Sequence, residues 1–202
     1  MTPPARSLSP FWAHAAAFGA IWGAVEITLG SFLHTLHLPL TGTTLSAIGA
    51  ALLVAQRQLV PTRGLTLATG LVAASCKMLS PGGAIIGPMV GIAVEALLVE
   101  LALLAAPRSW PSALLAGLLA VAWATGQKLL TQVALYGGDV LDLYVATLRR
   151  VATGLGLDPS AGWAAVAAVA GLIALLGLVA GAAGYRVGRL AAHVRCGAPG
   201  TP

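Results

Sequence analysis

The sequence predicts an all-α integral membrane protein, with about six transmembrane helices in one bundle and an amphipathic interfacial helix between spans five and six. Three observations lead there. Of 202 residues, 58% are hydrophobic and 8% charged, with a mean hydropathy of +0.90; a soluble domain carries about 25% charged residues. A chain this apolar has too little polar surface to stay dispersed in water. Six apolar runs are separated by proline-bearing connections. Arginine then recurs in every second connection, as it does when a chain crosses a membrane repeatedly.

A bilayer core about 30 Å thick needs about 20 apolar residues in a helix. The first span runs from Phe11 to about Leu38. It follows the polar, proline-rich Thr2 to Pro10 and is too long for the apolar core of a cleaved signal, so it is expected to stay. The second, about Leu40 to Gln56, and the third, about Gly64 to Leu79, are short. A helical hairpin that does not cross is the alternative for these two. The fourth runs from Gly83 to Ala106, the fifth from Ser112 to Tyr136 and the sixth from Trp163 to Tyr185. Pro39, Pro61, Pro81, Pro111 and Pro159 fall between spans, where a missing N–H costs nothing. Trp12, Trp110, Tyr136, Trp163 and Tyr185 mark span ends, where amphipathic rings suit the headgroup region.

The formal charge is +5 and the pI about 9.9. The arginines sit at the edges of apolar runs and no basic-aromatic patch accompanies them, so nucleic acid is not expected as a partner. Arg6 precedes span one, Arg57 and Arg63 flank the turn after span two, Arg108 follows span four, and Arg186, Arg189 and Arg195 follow span six. The opposite connections "HLPLTG" and "LSPGG" hold no arginine. The positive-inside rule then puts both termini in the cytoplasm of a plasma-membrane protein. This divides the chain into an N-terminal tail (1–10), a membrane domain (11–185) and a C-terminal tail (186–202). Cys76 and Cys196 are far apart and form no metal-ligand spacing.

The connection "GGDVLDLYVATLRRVATGLGLDPS" departs from the charge rule. Leu141, Tyr144, Val145, Leu148 and Leu155 recur at helical spacing, with Asp139, Asp142, Arg149 and Arg150 as the polar part. This reads as a helix in the interface plane, with Asp139 as its N-cap. It serves either as a lid over a site, through Asp139, Asp142, Tyr144 and Arg149, or as packing on the outer rim.

Ionisable groups inside a membrane are functional candidates by default, because lysine or aspartate at a helix centre costs about 2.5–3.5 kcal/mol on insertion scales. Glu26 lies near the middle of span one and Glu95 near the middle of span four. His34, His37, Lys77, Gln127 and Lys128 fall in the outer halves of spans one, three and five. In "SCKMLSPGGAIIGPMVG", Lys77 closes one helix and Gly82 and Gly83 open the next. A helix N-terminus beside a lysine suits a carboxylate or phosphate, and Gly87 and Pro88 would let the helix break; a lysine snorkelling beside an ordinary turn is the other reading. Lys128, deeper in its span, contacts a solute or pairs with Glu95 or Glu26. Glu100 lies within reach of Arg108. His34 and His37 share a face one turn apart, which admits a metal pair, a polar rim or solute contact. A metal site needs three or four ligands, and no third is in reach, so neither a metal nor a cofactor is assigned.

Two stripes of small residues line span one: Ala16, Ala20 and Ala24, and Ala15, Gly19 and Gly23. Span six carries Gly177 with Gly181 and Gly184 with Gly188, for which internal packing is the simpler reading. With six spans, this size, cytoplasmic termini and an AxxxA stripe, the chain resembles the substrate-binding S components of energy-coupling factor vitamin transporters. The resemblance implies that Ala16, Ala20 and Ala24 dock a transmembrane coupling subunit driven by two ATPases. It also implies a solute bound near the outer face; vitamins, their precursors and some metals are that family's solutes. The sequence holds no P-loop, so ATP energy would come from another chain.

The function expected is a membrane-embedded solute-binding subunit of a transporter, taking up a small polar or anionic vitamin-like solute from the outer face, and not an enzyme. The alternatives are an intramembrane metal protein or enzyme, for which GxSxG, HExxH and paired-aspartate motifs are missing, and a structural membrane-assembly protein.

Overall fold

The computed structural model of the chain describes residues 9–35, 41–79, 86–137 and 162–197. Their regular structure is all helical: α1 (Pro10–Thr35), α2 (Thr41–Leu59), α3 (Leu65–Cys76) with a one-turn 3-10 extension (Lys77–Leu79), α4 (Ile86–Leu104), α5 (Trp110–Tyr136) and α6 (Gly162–Gly197). Four of them, α1, α4, α5 and α6, hold stretches long and apolar enough to cross a membrane. This is a membrane protein.

The second and third expected spans are the two that fall short of that standard. α3 and its extension form a shorter apolar helix. α2 is interrupted by hydroxyl, amide and arginine side chains, and its position explains them. It packs against α1, α3, α4, α5 and α6, and Thr41, Thr43, Ser46, Gln56, Arg57 and Gln58 are all buried. A helix surrounded by protein answers to its neighbours rather than to lipid, so hydropathy understates it.

The other helices form an arc around α2 in the order α1, α3, α4, α5, α6, and the two ends of the arc do not touch. Helices α1, α3 and α5 run one way and α2, α4 and α6 the other. Ala15 near the start of α1 clusters with Leu65 and Ala68 at the start of α3, and the amide of Gln127 in α5 reaches Gly87 at the start of α4. One end of the bundle gathers Arg57, Arg63, Arg108 and Arg186, and the other gathers Lys77 and Lys128. They are termed the arginine end and the lysine end below.

Small residues face inward and large ones outward. Ala50, Ala73, Ala96, Ala113, Ala116 and Ala120 belong to the buried core, whereas Ile21, Phe32, Leu101, Leu115, Leu172 and Leu175 are exposed. So much apolar surface is incompatible with water and suits lipid. The glycines of α6 serve packing: a methyl added at Gly177 would stand 2.8 Å from the Leu118 backbone of α5, and one at Gly188 would stand 2.6 Å from Gln58 Cβ of α2. The two stripes of α1 part company. Ala15, Gly19 and Gly23 are buried, the two glycines directly against α3, while Ala16, Ala20 and Ala24 are exposed.

Local signals account for several boundaries. Ser109 caps α5, its hydroxyl accepting from the Ser112 amide at 3.2 Å, with Pro111 in the first turn. Pro88 falls in the first turn of α4, where its missing N–H leaves no bond unmade. The break foreseen at Gly87 and Pro88 is therefore absent, and α4 is continuous from Ile86. α6 continues past Tyr185 to Gly197. At its crossing with α5, Tyr185 meets Trp110 edge-on at 5.1 Å, and the Arg186 guanidinium lies 5.8 Å from the Trp110 ring centre.

Candidate functional site

Polar side chains gather at both ends of the bundle, in two different states. At the arginine end, Glu100 of α4 is buried and accepts three kinds of donor. Its Oε1 takes the Arg57 guanidinium at 3.2 Å and the Gly64 amide at 2.7 Å, and its Oε2 takes the Thr66 hydroxyl. Gly64 has φ of +78°, a left-handed conformation that suits glycine and turns its N–H toward the carboxylate. Arg57 also donates to the Thr62 carbonyl, Gln56 donates to Thr69 at 2.8 Å, and Gln58 to the Pro107 carbonyl at 3.1 Å. The pairing foreseen between Glu100 and Arg108 is replaced by this one, because α2 brings Arg57 into the interior. Arg57 Nε, Gln56 Oε1 and Gln58 Oε1 lack partners, but each belongs to a side chain held by another of its atoms.

The lysine end holds most of the expected site residues that are described. Lys77, the C-cap of α3, reaches across to α1, where its Nζ lies 3.3 Å from Glu26 Oε2 and 3.2 Å from the Glu26 carbonyl. Gly30 lies beside it: a methyl there would stand 3.7 Å from that Nζ, an ordinary contact. Glu95 of α4 is 4% exposed, lies within electrostatic range of Glu26, and has the Ser46 hydroxyl of α2 close by. The Ser46 hydroxyl is close enough to hydrogen-bond the Glu95 carboxyl, and Glu95 Oε1 and Ser46 Oγ have no other partner among the described residues. Gln127 of α5 donates to the Gly87 carbonyl at 2.7 Å and packs against Gly91, where any side chain would collide with it. Thr43 and Thr125 meet at 3.4 Å between α2 and α5. The Nε1 of Trp22, the Nε1 of Trp123 and the Oε1 of Gln132 are buried without partners.

Lys128 stands at the same end, exposed, over the start of α2. Its Nζ would be 3.0 Å from a methyl on Gly42. It makes no ion pair among the described residues, so the pair foreseen with Glu95 or Glu26 is not formed; Glu26 is taken by Lys77, which lies one helix nearer. The helix of His34 is described but its side chain is not. His37, Gly82, Gly83, Asp139, Asp142, Tyr144 and Arg149 lie outside the described residues, and with them the expected interfacial helix.

No family model matches the chain, nor does any curated protein or solved structure. Among the described residues no three His, Cys, Asp or Glu side chains gather closely enough to hold a metal ion.

Sequence reasoning passed over Ser46, Thr43 and the Arg57–Thr66–Glu100 set. A signal for them exists in α2. Thr43 and Ser46 are three apart and so share a face, and "QRQ" interrupts an apolar run. Polar groups at these positions tolerate burial only with protein partners or a ligand.

Proposed function

We propose that this chain is the membrane-embedded solute-binding subunit of a transporter, crossing the plasma membrane six times with both termini in the cytoplasm. In this reading the arginine end faces the cytoplasm, as the positive-inside rule requires, and the lysine end takes up a small polar solute from outside. α2 and α3 cross as well, α2 sheltered from lipid by the arc of helices around it. One observation carries the reading: the buried Glu26 and Glu95 lie within electrostatic range of each other inside an apolar bundle, with Lys77 bound to the first and Ser46 beside the second. Ionisable groups inside a membrane are costly and mark solute pathways.

The exposed Ala16, Ala20 and Ala24 support the second half of the proposal. Small residues on an outer helix face let a partner helix approach closely, and a coupling subunit with its ATPases would supply the energy that this chain has no motif to harvest. Native mass spectrometry on protein purified gently from its source membrane tests both parts. The expected spectrum carries a retained small molecule and, at low detergent, companion subunits. Protein that is bare and alone in every preparation would refute the reading.

A further inference from the structure

We propose that the arginine end docks an anionic phospholipid of the adjoining leaflet, on the outer face of α6 around Arg186 and Arg189. This goes beyond the solute-binding reading and does not rest on it.

The charge balance at this end comes first. Glu100, the carboxylate there among the described residues, is taken by Arg57. Arg63, Arg108, Arg186 and Arg189 are exposed, and none of them is in an ion pair among the described residues. A guanidinium is always charged, so the surplus is permanent and complements a negative surface.

α6 then gives that surplus a shape. Leu172, Leu175 and Val179 follow one another at i, i+3 and i+7, and Arg186 continues the same face two turns further on. The three apolar side chains are more than half exposed. They make an apolar track along the helix that ends at an exposed arginine, as a lipid places acyl chains below a phosphate. α6 does not stop there: from Tyr185 to Gly197 it runs on for about 18 Å at 1.5 Å per residue. The headgroup layer on one side of a bilayer is about 5–8 Å deep, so the helix crosses it whole and carries Arg186 and Arg189 at that level.

Both arginines are held against rings. Trp110 and Tyr185 meet edge-on at 5.1 Å; the Arg186 guanidinium lies 5.8 Å from the Trp110 ring centre, and that of Arg189 lies 5.8 Å from the Tyr185 ring centre. A guanidinium against a ring still has an N–H fork to offer, and that fork matches two phosphate oxygens. Trp110 itself follows a turn that Gln58 fixes through the Pro107 carbonyl at 3.1 Å, and this turn carries Arg108 to the same corner. A zwitterionic lipid brings its own ammonium to a corner already rich in cations. An anionic one brings only the charge that the corner is short of.

The full chain in detergent is offered phosphatidylglycerol and phosphatidylcholine with identical acyl chains, and separately inorganic phosphate. Native mass spectrometry counts the lipids retained, and tryptophan fluorescence follows unfolding. Phosphatidylglycerol is expected to be retained in preference and to raise the Tm with dose, as a ligand of the native state must; phosphatidylcholine and inorganic phosphate are not. Arg186→Gln is expected to weaken phosphatidylglycerol about fivefold or more, the scale of one arginine at an anionic surface. Its Tm without lipid is expected to stay within a few degrees of the wild type, because the side chain is exposed. Arg63→Gln removes the same charge from the α2–α3 turn and is expected to weaken the lipid by less than about twofold. Equal retention of the two lipids, or an unchanged preference in Arg186→Gln, overturns the proposal. An equal loss in Arg63→Gln overturns it as well, leaving the diffuse attraction of a basic surface. Equal stabilisation by inorganic phosphate would make the corner a free-anion site and not a lipid site.

Discussion

The two ends of the bundle use the same kinds of residue to opposite effect. Each holds a buried carboxylate on α4, five residues apart in sequence: Glu100 toward the arginine end and Glu95 toward the lysine end. Glu100 accepts from Arg57, Thr66 and the Gly64 amide, so its acceptor capacity is filled by the protein. Glu95 has one hydroxyl, that of Ser46, and the Glu26 carboxyl near it, with no cation bound to it among the described residues. A buried carboxylate held by several donors fixes helix positions; one with a single hydroxyl does so less. Burial alone does not distinguish the two: Glu95 and Glu100 are 4% and 5% exposed.

The largest effect that would break this comparison is at Arg57. Arg57→Met leaves Glu100 buried without its cation and is expected to cost about 3–5 kcal/mol, the usual penalty for halving a buried pair. Arg57→Met with Glu100→Gln should recover much of it. Thermal or SDS unfolding in micelles measures both; a single variant as stable as the double would mean that the arginine end is no lock.

Next in size is the close approach of α5 and α6. A side chain at Gly181 collides with the Ala113 backbone, so Gly181→Leu must part the two helices. The expected loss is about 3 kcal/mol or more, the upper range for overpacking. Equal loss from Ala20→Leu on the exposed stripe of α1 would erase the distinction between inner and outer small residues.

At the lysine end the sign reverses. Glu95→Gln replaces a buried acid that has Glu26 nearby and no cation bound to it with a neutral amide, and is expected to leave stability unchanged or raise it by about 1 kcal/mol at most. Lys77→Met is expected to lower stability by about 1–2 kcal/mol, less than Arg57→Met, because its pair is less buried. A marked loss from Glu95→Gln would move Glu95 into the same class as Glu100.

How much of this was legible in the sequence follows from which forces write into a single chain. Apolar length and the arginine pattern gave the helices and their alternating direction, because lipid acts on each helix separately. Glu26, Lys77, Glu95 and Gln127 stood out because charge or amide in an apolar run is anomalous whatever surrounds it. Pairing was not legible. Arg57 looked like a flanking topology residue, and only the central placement of α2, which no local pattern encodes, brings it to Glu100. The same placement hid Ser46 and Thr43, whose hydroxyls are ordinary in a helix until another helix buries them. The alternative pairing of Lys128 with Glu95 or Glu26 fails for a related reason: depth along a helix is readable, but the direction of a side chain is not.

The smallest expected effect carries the most information about partners. Ala16, Ala20 and Ala24 are exposed, so Ala20→Leu should change the stability of the isolated chain by no more than about 0.5 kcal/mol. If that face receives a coupling subunit, the added isobutyl group holds the partner helix away and the complex fails to co-purify, while a solute bound at the proposed site is still retained. If the face meets only lipid, Ala20→Leu is silent in both assays, since lipid tails accommodate leucine as readily as alanine. A variant that folds, keeps its solute and loses its companions would separate docking from binding.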